Sequence, residues 1–359
     1  MTMHSVKKYK WFIILCISYL LVRFISKQTN FIDTIYYDKI YRFISPELRK
    51  LTGFTSISIG DCLYLLLLLI CIYKFLFIKK IWLNNKWKVI NMVCISLTVF
   101  ILFFNFLWGF NYYRTPLHER LNIASTYSED DLKTVTQSLI NRLNKIHLSY
   151  VTNKDTCIEV ETSTDEVYKQ VSTGYEVLSA LYPEFNYKNQ SIKSSLFSLP
   201  LTYMGFSGYI NPFTNEAQIN NKVTKMTLFV TASHEVAHQI GIGPESEANF
   251  VGYLAAKNNP NKYFEYAATS FALRYCLNRY PFENKTEFET YLAQINPGII
   301  ADWKKSRIFW EEHQTFIDTV FKFIYDKFLK VNQQEFGIEG YSMFLDLLIH
   351  YELNEKRMN

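Results

Sequence analysis

The sequence predicts a mainly α-helical protein with three N-terminal transmembrane helices, followed by a predominantly helical soluble domain that contains a small β-sheet or hairpin. Nearly all the long apolar runs lie in residues 1–113, whereas residues 114–359 have the mixed polarity of a water-soluble domain. Helix-start signals recur through the second part, and short β-like segments occur only between Ser194 and Asn220. We therefore expect a membrane anchor at 1–113 and a soluble domain at 114–359.

Three apolar runs are long enough to cross a bilayer, at about residues 11–26, 62–78 and 89–110. The first run also resembles a signal peptide, but no small-x-small cleavage pattern follows it, which favours an uncleaved anchor. The third run ends in aromatic residues typical of a membrane interface, namely Trp108, Phe110, Tyr112 and Tyr113.

Basic residues predict the orientation of these helices. The segment between the second and third runs has four lysines and no acidic residue, and the amino terminus is also basic: Lys79, Lys80, Lys86, Lys88 and Lys7, Lys8, Lys10. Both should face the cytoplasm. We expect a multi-pass protein of the cytoplasmic membrane, with a cytoplasmic N-terminus and an extracytoplasmic or periplasmic C-terminal domain. In the first loop, Ser45-Pro46-Glu47 predicts the start of an amphipathic helix.

Composition limits the partners. The net charge of +5 is spread out, without a basic stripe interleaved with aromatic residues, so nucleic acid is not an expected partner, whereas the lipid bilayer is. Cys157 and Cys276 are the two cysteines of the soluble part, and no pattern supports a disulfide between them.

Helices are expected across most of the soluble domain. Capping residues predict helices from Ser128 to about Ser149 and from Ser163 to about Leu181. Between them and the C-terminus, Tyr209-Ile210 and Glu216–Asn220 predict a hairpin, whose edge strand could pair with an extended peptide or be purely structural. The further helices are predicted as scaffold, at 260–280, 285–294, 297 to about 330, and 340–353.

One stretch carries chemistry. His234-Glu235-Val236-Ala237-His238 has two histidines one helical turn apart, so both imidazoles can reach one Zn²⁺ while Glu235 serves as general base. The competing interpretation is a core helix with two incidental histidines.

A third ligand is expected from the next helix. Gly241-Ile242-Gly243-Pro244 stops the first helix, and a metzincin's third histidine would fall on Pro244, which cannot bind metal. Glu245 and Asn249 instead fit the E-x-x-x-D spacing of glutamate zincins, with Asn249 at the position that orients a ligand histidine. Glu247 is the rival third ligand.

A phenol could stabilise an oxyanion at such a site. Tyr263 is the candidate we name, with Tyr266, Tyr203 and Tyr209 as alternatives, although packing is the commoner role of a tyrosine.

Three stretches together resemble a bacterial family of membrane proteins classed as a domain of unknown function (DUF3810). They are Trp108–Arg114, His234–His238 with Glu245–Phe250, and Phe328–Asn332 with Gly337–Tyr341. The resemblance covers nearly the whole chain, and it implies an architecture and a metallopeptidase site without implying a substrate. The segment after Glu245 is also similar to the third-ligand helix of membrane-linked glutamate zincins, which supports His234, His238 and Glu245 as ligands and Glu235 as base.

We therefore expect a membrane-anchored zinc metallopeptidase that hydrolyses peptide bonds of a cell-envelope peptide or protein outside the cytoplasmic membrane. Two alternatives share the site. One is a noncatalytic sensor or assembly protein stabilised by zinc, and the other is a zinc amidase acting on a cell-envelope substrate.

Overall fold

The computed structural model describes residues 3–124, 126–280, 284–332 and 342–358, which form helices and one small sheet. The helices are α1 Met3–Ile25, α2 Thr29–Phe31, α3 Arg42–Thr52, α4 Ile59–Asn84, α5 Lys86–Leu107, α6 Leu117–Arg120, α7 Glu129–Tyr150, α8 Thr164–Leu181, α9 Ser198–Met204, α10 Lys225–Gln239, α11 Glu245–Lys257, α12 Lys262–Leu277, α13 Lys285–Gln294, α14 Pro297–His313, α15 Phe316–Val331 and α16 Ser342–Met358. A π-helix, Ile32–Tyr41, joins α2 to α3, and short 3-10 helices occupy Gly109–Tyr113 and Pro183–Phe185.

Two described helices are long and apolar enough to cross a membrane by themselves. They are Ile59–Ile78 within α4 and Lys86–Leu107, which is all of α5. Tyr9–Ile25 qualifies only together with Thr29–Thr52, from which it is bent by 88°. The second and third predicted runs therefore lie on such helices, and the first lies on one half of a bent pair.

Helix α1 runs beside α5 in the same direction. Near the start of each helix, the rings of Tyr9 and Trp87 meet edge to face with their centroids 5.0 Å apart. Toward the other end, Val22 and Ile25 pack in one cluster with Ile101 and Phe104. The first predicted run thus lies alongside the third.

The helix predicted to start at Ser45-Pro46 begins earlier than expected. The chain is helical from Thr29 to Thr52, and Pro46 lies inside α3. Proline removes one backbone donor from this helix. Tertiary contacts override that local cost, because Tyr41 and Arg49 on the same helical segment are buried against the soluble domain.

The expected sheet has three strands in the order β1-β3-β2, where β1 is Ile192–Ser194, β2 is Gly208–Ile210 and β3 is Ala217–Ile219. Strands β2 and β3 form the predicted antiparallel hairpin, with Tyr209 opposite Gln218. Strand β1 pairs with β3 in parallel, with Lys193 opposite Gln218. Strand β2 is therefore an edge strand.

Most helices of the soluble domain lie where the sequence predicts them. Ser128 and Asp131 form the capping box of α7, and Ser163 caps α8. The prediction of a single helix from Pro297 to about Lys330 is wrong, because the chain turns at Gln314 and Thr315. The Thr315 hydroxyl then caps the start of α15. The start of the helix predicted at 340–353 lies outside the described residues, which resume at 342.

One continuous core holds the soluble domain together. Buried apolar residues of α7, α8, α12 and α16 surround α10 and α11, which lie at its centre. Cys276 is buried in this core, and both it and Cys157 are free thiols.

Candidate metal centre

The H-E-x-x-H sequence lies on α10, as its spacing predicts. The imidazole rings of His234 and His238 lie on one face of the helix, with centroids 4.6 Å apart and planes perpendicular. One potential ligand atom from each of His234, Glu235 and His238 lies within 4.8 Å of the others. The local sequence thus suffices to bring these three side chains together.

Helix α10 ends where the glycine and proline signals predict. Gly241 adopts a left-handed conformation with φ +89°, and a Cβ there would lie 2.7 Å from the Tyr37 ring. Helix α11 then packs closely on α10, since a Cβ on Gly252 would lie 2.8 Å from the Cα of His234. This close packing brings the first turn of α11 beneath the two histidines.

Glu245 reaches both imidazoles from that first turn. Its Oε2 lies 3.3 Å from His234 Nε2, and its Oε1 lies 3.5 Å from His238 Nε2. His238 Nδ1 lies 2.7 Å from the Ile242 carbonyl oxygen, and as donor to it would leave Nε2 with a lone pair directed toward Glu245. Two imidazole nitrogens and one carboxylate therefore converge, which is a donor set suited to Zn²⁺.

Glu247, the rival ligand, points elsewhere. Its Oε1 accepts a hydrogen bond from the backbone N–H of Leu117 at 2.8 Å, and its Oε2 lies 3.7 Å from Arg120 Nη2. Glu247 thus joins α11 to the chain that leaves the membrane anchor, and the geometry favours Glu245 as third ligand.

Asn249 and Tyr263 do not have the contacts expected of them. Asn249 is buried beside the site and lines its cavity, but within the described part of the chain His234 Nδ1 has no hydrogen-bond partner, so Asn249 does not orient it. Tyr263 stacks on Tyr150 and donates to the Glu159 carbonyl oxygen at 3.3 Å, and it is not among the residues lining the cavity.

Tyr325 of α15 is a phenol that reaches the centre. Its hydroxyl donates to Glu245 Oε1 at 2.6 Å. It is 80 residues from Glu245 in the sequence, and no motif surrounds it, so only the packing of α15 beside α11 reveals it.

The ionisable side chains at the centre shift one another's pKa values. Burial raises the pKa of Glu235 to about 6, although the two histidines oppose the shift. Burial lowers the pKa of His238, but the Glu245 carboxylate outweighs this effect and raises it to about 9. The two histidines likewise hold the pKa of Glu245 well below its usual range, against the opposing effect of burial. Glu245 therefore favours a positive charge beside it, and a metal ion bound there would have to displace the proton from His238.

The carboxylate of Glu235 is buried, and its Oε2 has no hydrogen-bond partner among the residues described. Strand β2 passes beside it, since a Cβ on Gly208 would lie 2.9 Å from Glu235 Oε1. A buried carboxylate without a partner is costly unless a ligand or a water satisfies it, so this residue has the character of a reactive group.

A cavity of about 950 Å³ opens over these residues. His234, Glu235 and His238 form part of its wall, and Ser207–Ile210 of the hairpin forms another part. Tyr64 of α4 and Phe104 of α5 also line it, so the cavity extends to the two long apolar helices.

The predicted anchor directly supports the end of α10, which we call the metal helix because it carries the candidate ligands His234 and His238. Four successive carbonyls from His238 to Gly241 accept hydrogen bonds from side chains of the first 114 residues: Trp108 Nε1 to His238 (3.2 Å), Arg49 Nη1 and Tyr41 to Gln239 (2.9 and 3.0 Å), Tyr37 to Ile240 (3.1 Å) and Arg114 Nη1 to Gly241 (2.9 Å). The last carbonyls of a helix lack partners within the helix, and cations are favourable there. The contacts therefore cross the predicted boundary at residue 113.

Comparison with known proteins also joins the predicted anchor to the predicted soluble domain. A family described as "Protein of unknown function (DUF3810)" matches residues 36–349. The chain belongs to this family. The matched region includes most of the anchor, the candidate centre and α15, so the family extends across both predicted domains. Neither curated proteins nor solved structures yielded a match.

Proposed function

We propose that this protein is a membrane-anchored, zinc-dependent peptidase that hydrolyses peptide bonds outside the cytoplasmic membrane. One observation carries the proposal: Glu245 reaches both imidazoles, and beside them Glu235 keeps a buried carboxylate oxygen without a described partner. The two histidines and Glu245 would hold the metal, and three protein ligands would leave one position open.

Zn²⁺ held there would act as a Lewis acid on the carbonyl of the scissile bond. Glu235 has a pKa raised to about 6 by burial, so near neutral pH it is mainly ionised and can accept a proton. As a water oxygen bonds to the carbonyl carbon, Glu235 takes a proton from that water. It delivers this proton to the amine nitrogen as the C–N bond breaks. Tyr325 could donate a hydrogen bond to the carbonyl oxygen as its negative charge develops.

A peptide substrate is favoured over other amides by strand β2. The main-chain groups of Tyr209 pair with those of Gln218, so in an antiparallel ladder those of Gly208 and Ile210 point away from β3. Both residues also line the cavity. An extended peptide could add to this edge by backbone hydrogen bonds and pass next to Glu235.

An outward-facing site is supported by the lysines. Trp108 at the end of α5 contacts the metal helix, whereas Lys86 and Lys88 lie at the opposite end of α5. If these lysines face the cytoplasm, the site lies on the other side of the membrane.

The test compares the wild-type protein with Glu235→Gln, both purified in detergent. Bound zinc is measured by elemental analysis, and cleavage of a complex peptide mixture is followed by mass spectrometry. We expect one zinc per chain in both proteins, but chelator-sensitive cleavage only in the wild type. Cleavage retained by Glu235→Gln would refute the base assignment, and zinc without any wild-type cleavage would favour the noncatalytic alternative.

A further inference from the structure

Helix α15 has an apolar face that the described residues leave uncovered. Phe316, Val320, Phe323 and Ile324 lie on one side of the helix and are exposed, with Phe316 at 78% and Phe323 at 63%. Their spacing of three, four and seven residues is that of a helical stripe. On the opposite side, Asp318, Tyr325 and Leu329 face the protein. The uncovered apolar stripe of α15 therefore lies on the side opposite the one that faces the protein.

Two contacts set the level of α15 relative to the membrane helices. The Phe328 ring lies 6.1 Å from that of Phe104, three residues before the end of α5. Near the end of α1, Arg23 Nη1 lies 3.5 Å from the Val331 carbonyl oxygen. At about 1.5 Å per residue, Arg23 and Phe104 lie roughly 3–5 Å inside the ends of their helices. That depth is comparable with one headgroup layer of a bilayer, about 5–8 Å.

A second apolar patch lies on α9 and the turn before it. Leu196 and Leu199 are exposed, and Leu196 is tied to the start of α4 by its backbone N–H, which donates to Asp61 Oδ2 at 2.7 Å. Helix α9 packs against α15. This second patch thus lies between the start of α4 and α15.

The first loop has a similar position. The segment Thr29–Thr52 bends by 88° from α1, so it runs nearly at right angles to a helix that lies alongside α5. Phe43 and Leu51 are exposed on it, while Tyr41 and Arg49 support the metal helix. A helix perpendicular to the membrane helices at their end lies along the bilayer surface.

We propose that α15 inserts its apolar face into the outer leaflet of the bilayer that α4 and α5 cross. The basic residues of α15 fit this position. Lys327 Nζ lies 5.3 Å from the centre of the Phe323 ring, and it can extend from the apolar face to lipid phosphates. Lys330 is paired with Asp326 and lies beside the stripe, whereas Lys322 is paired with Asp318 on the inner side of the helix.

This position has a consequence for the candidate centre. Tyr325 and Phe328 line the cavity from the inner side of α15, and Leu201 lines it from α9. Insertion of α15 would hold this side of the cavity at the bilayer surface. If the proposed peptidase function is correct, the favoured substrates are peptide segments held close to the membrane surface.

The test places p-benzoylphenylalanine at position 323 of the full-length protein in nanodiscs of phosphatidylethanolamine and phosphatidylglycerol. The matched control carries the same photoreactive residue at position 285 on α13, where Lys285 is 83% exposed. Mass spectrometry after irradiation identifies the crosslinked partner. We expect lipid adducts at position 323 at least tenfold more abundant than at position 285.

Crosslinks from position 323 to a second copy of the chain in place of lipid would overturn the proposal, as would equal lipid labelling at the two positions. The measurement needs neither zinc nor hydrolysis. An inactive protein that still gives lipid adducts would therefore refute only the peptidase function.

Discussion

Replacing Arg49 with methionine should show that the membrane anchor stabilises the metal helix. Arg49 is 1% exposed, and its Nη1 donates to the Gln239 carbonyl at 2.9 Å and to Asn215 Oδ1 at 2.6 Å. Its Nε also donates, to the carbonyl oxygens of Lys188 and Asn189 at 3.0 and 3.2 Å. Hydrogen bonds from a charged group contribute about 1.5–3 kcal/mol each, so losing these three N–H donors costs about 4.5–9 kcal/mol. Removing a desolvated cation offsets part of this cost, and we expect a net loss of about 3 kcal/mol.

Arg42→Met is the matched control, since Arg42 lies on the same helix, is 48% exposed and pairs only with Asp38 among the ion pairs of the described chain. An exposed pair of this kind contributes about 0–1 kcal/mol. Thermal unfolding in detergent, with and without added zinc, provides the measurement. Arg49→Met should lower Tm by several degrees and weaken zinc binding, while Arg42→Met should change neither. Equal effects of the two variants would show that the anchor does not stabilise the centre through Arg49.

Three further predictions concern the site and the core. Losing a residue that hydrogen-bonds a metal ligand weakens metal binding by roughly 10–100-fold, and Glu245→Gln should weaken zinc binding by more than that. Glu247→Gln should mainly lower Tm. Competition titration with a zinc chelator measures the zinc affinity of both variants. Equal zinc affinity of the two variants would show that Glu245 is not the third ligand. Tyr325→Phe should lower kcat about 100-fold and, because it removes the hydrogen bond to Glu245, should also weaken zinc binding by up to roughly 100-fold, so kcat is measured at saturating zinc. Tyr263→Phe should keep wild-type kcat and zinc affinity, and a drop confined to Tyr263→Phe would exclude the assignment of Tyr325. Finally, burial raises the pKa of Glu352, but Lys257 and Arg142 outweigh it and lower the pKa below its usual value near 4.5. A lowered carboxyl pKa adds stability above the pKa of the unfolded chain, and this stability is lost as pH falls through the folded-state pKa. Glu352→Gln should therefore be less stable by about 3 kcal/mol at pH 7, and the difference should shrink in denaturant titrations below pH 4.5.

The long apolar helices and the H-E-x-x-H helix could be predicted because their signals are local. Apolar runs of bilayer length and two histidines at a spacing of four are properties of short segments. The end of the metal helix at Gly241 follows from the same kind of signal. Errors arose where a local signal competed with packing. Pro46 suggested a helix start, but buried contacts of Tyr41 and Arg49 accompany a helix that runs through it.

The sequence by itself determined the helical class, the apolar segments and the three side chains His234, Glu235 and His238. Only the tertiary structure shows that Glu245 meets the two imidazoles and that Glu247 meets the backbone of Leu117, because the two side chains leave α11 in different directions. It also brought Tyr325 to the centre in place of Tyr263. Such contacts join residues far apart in the sequence, and their distances depend on how whole helices pack, which no short pattern encodes.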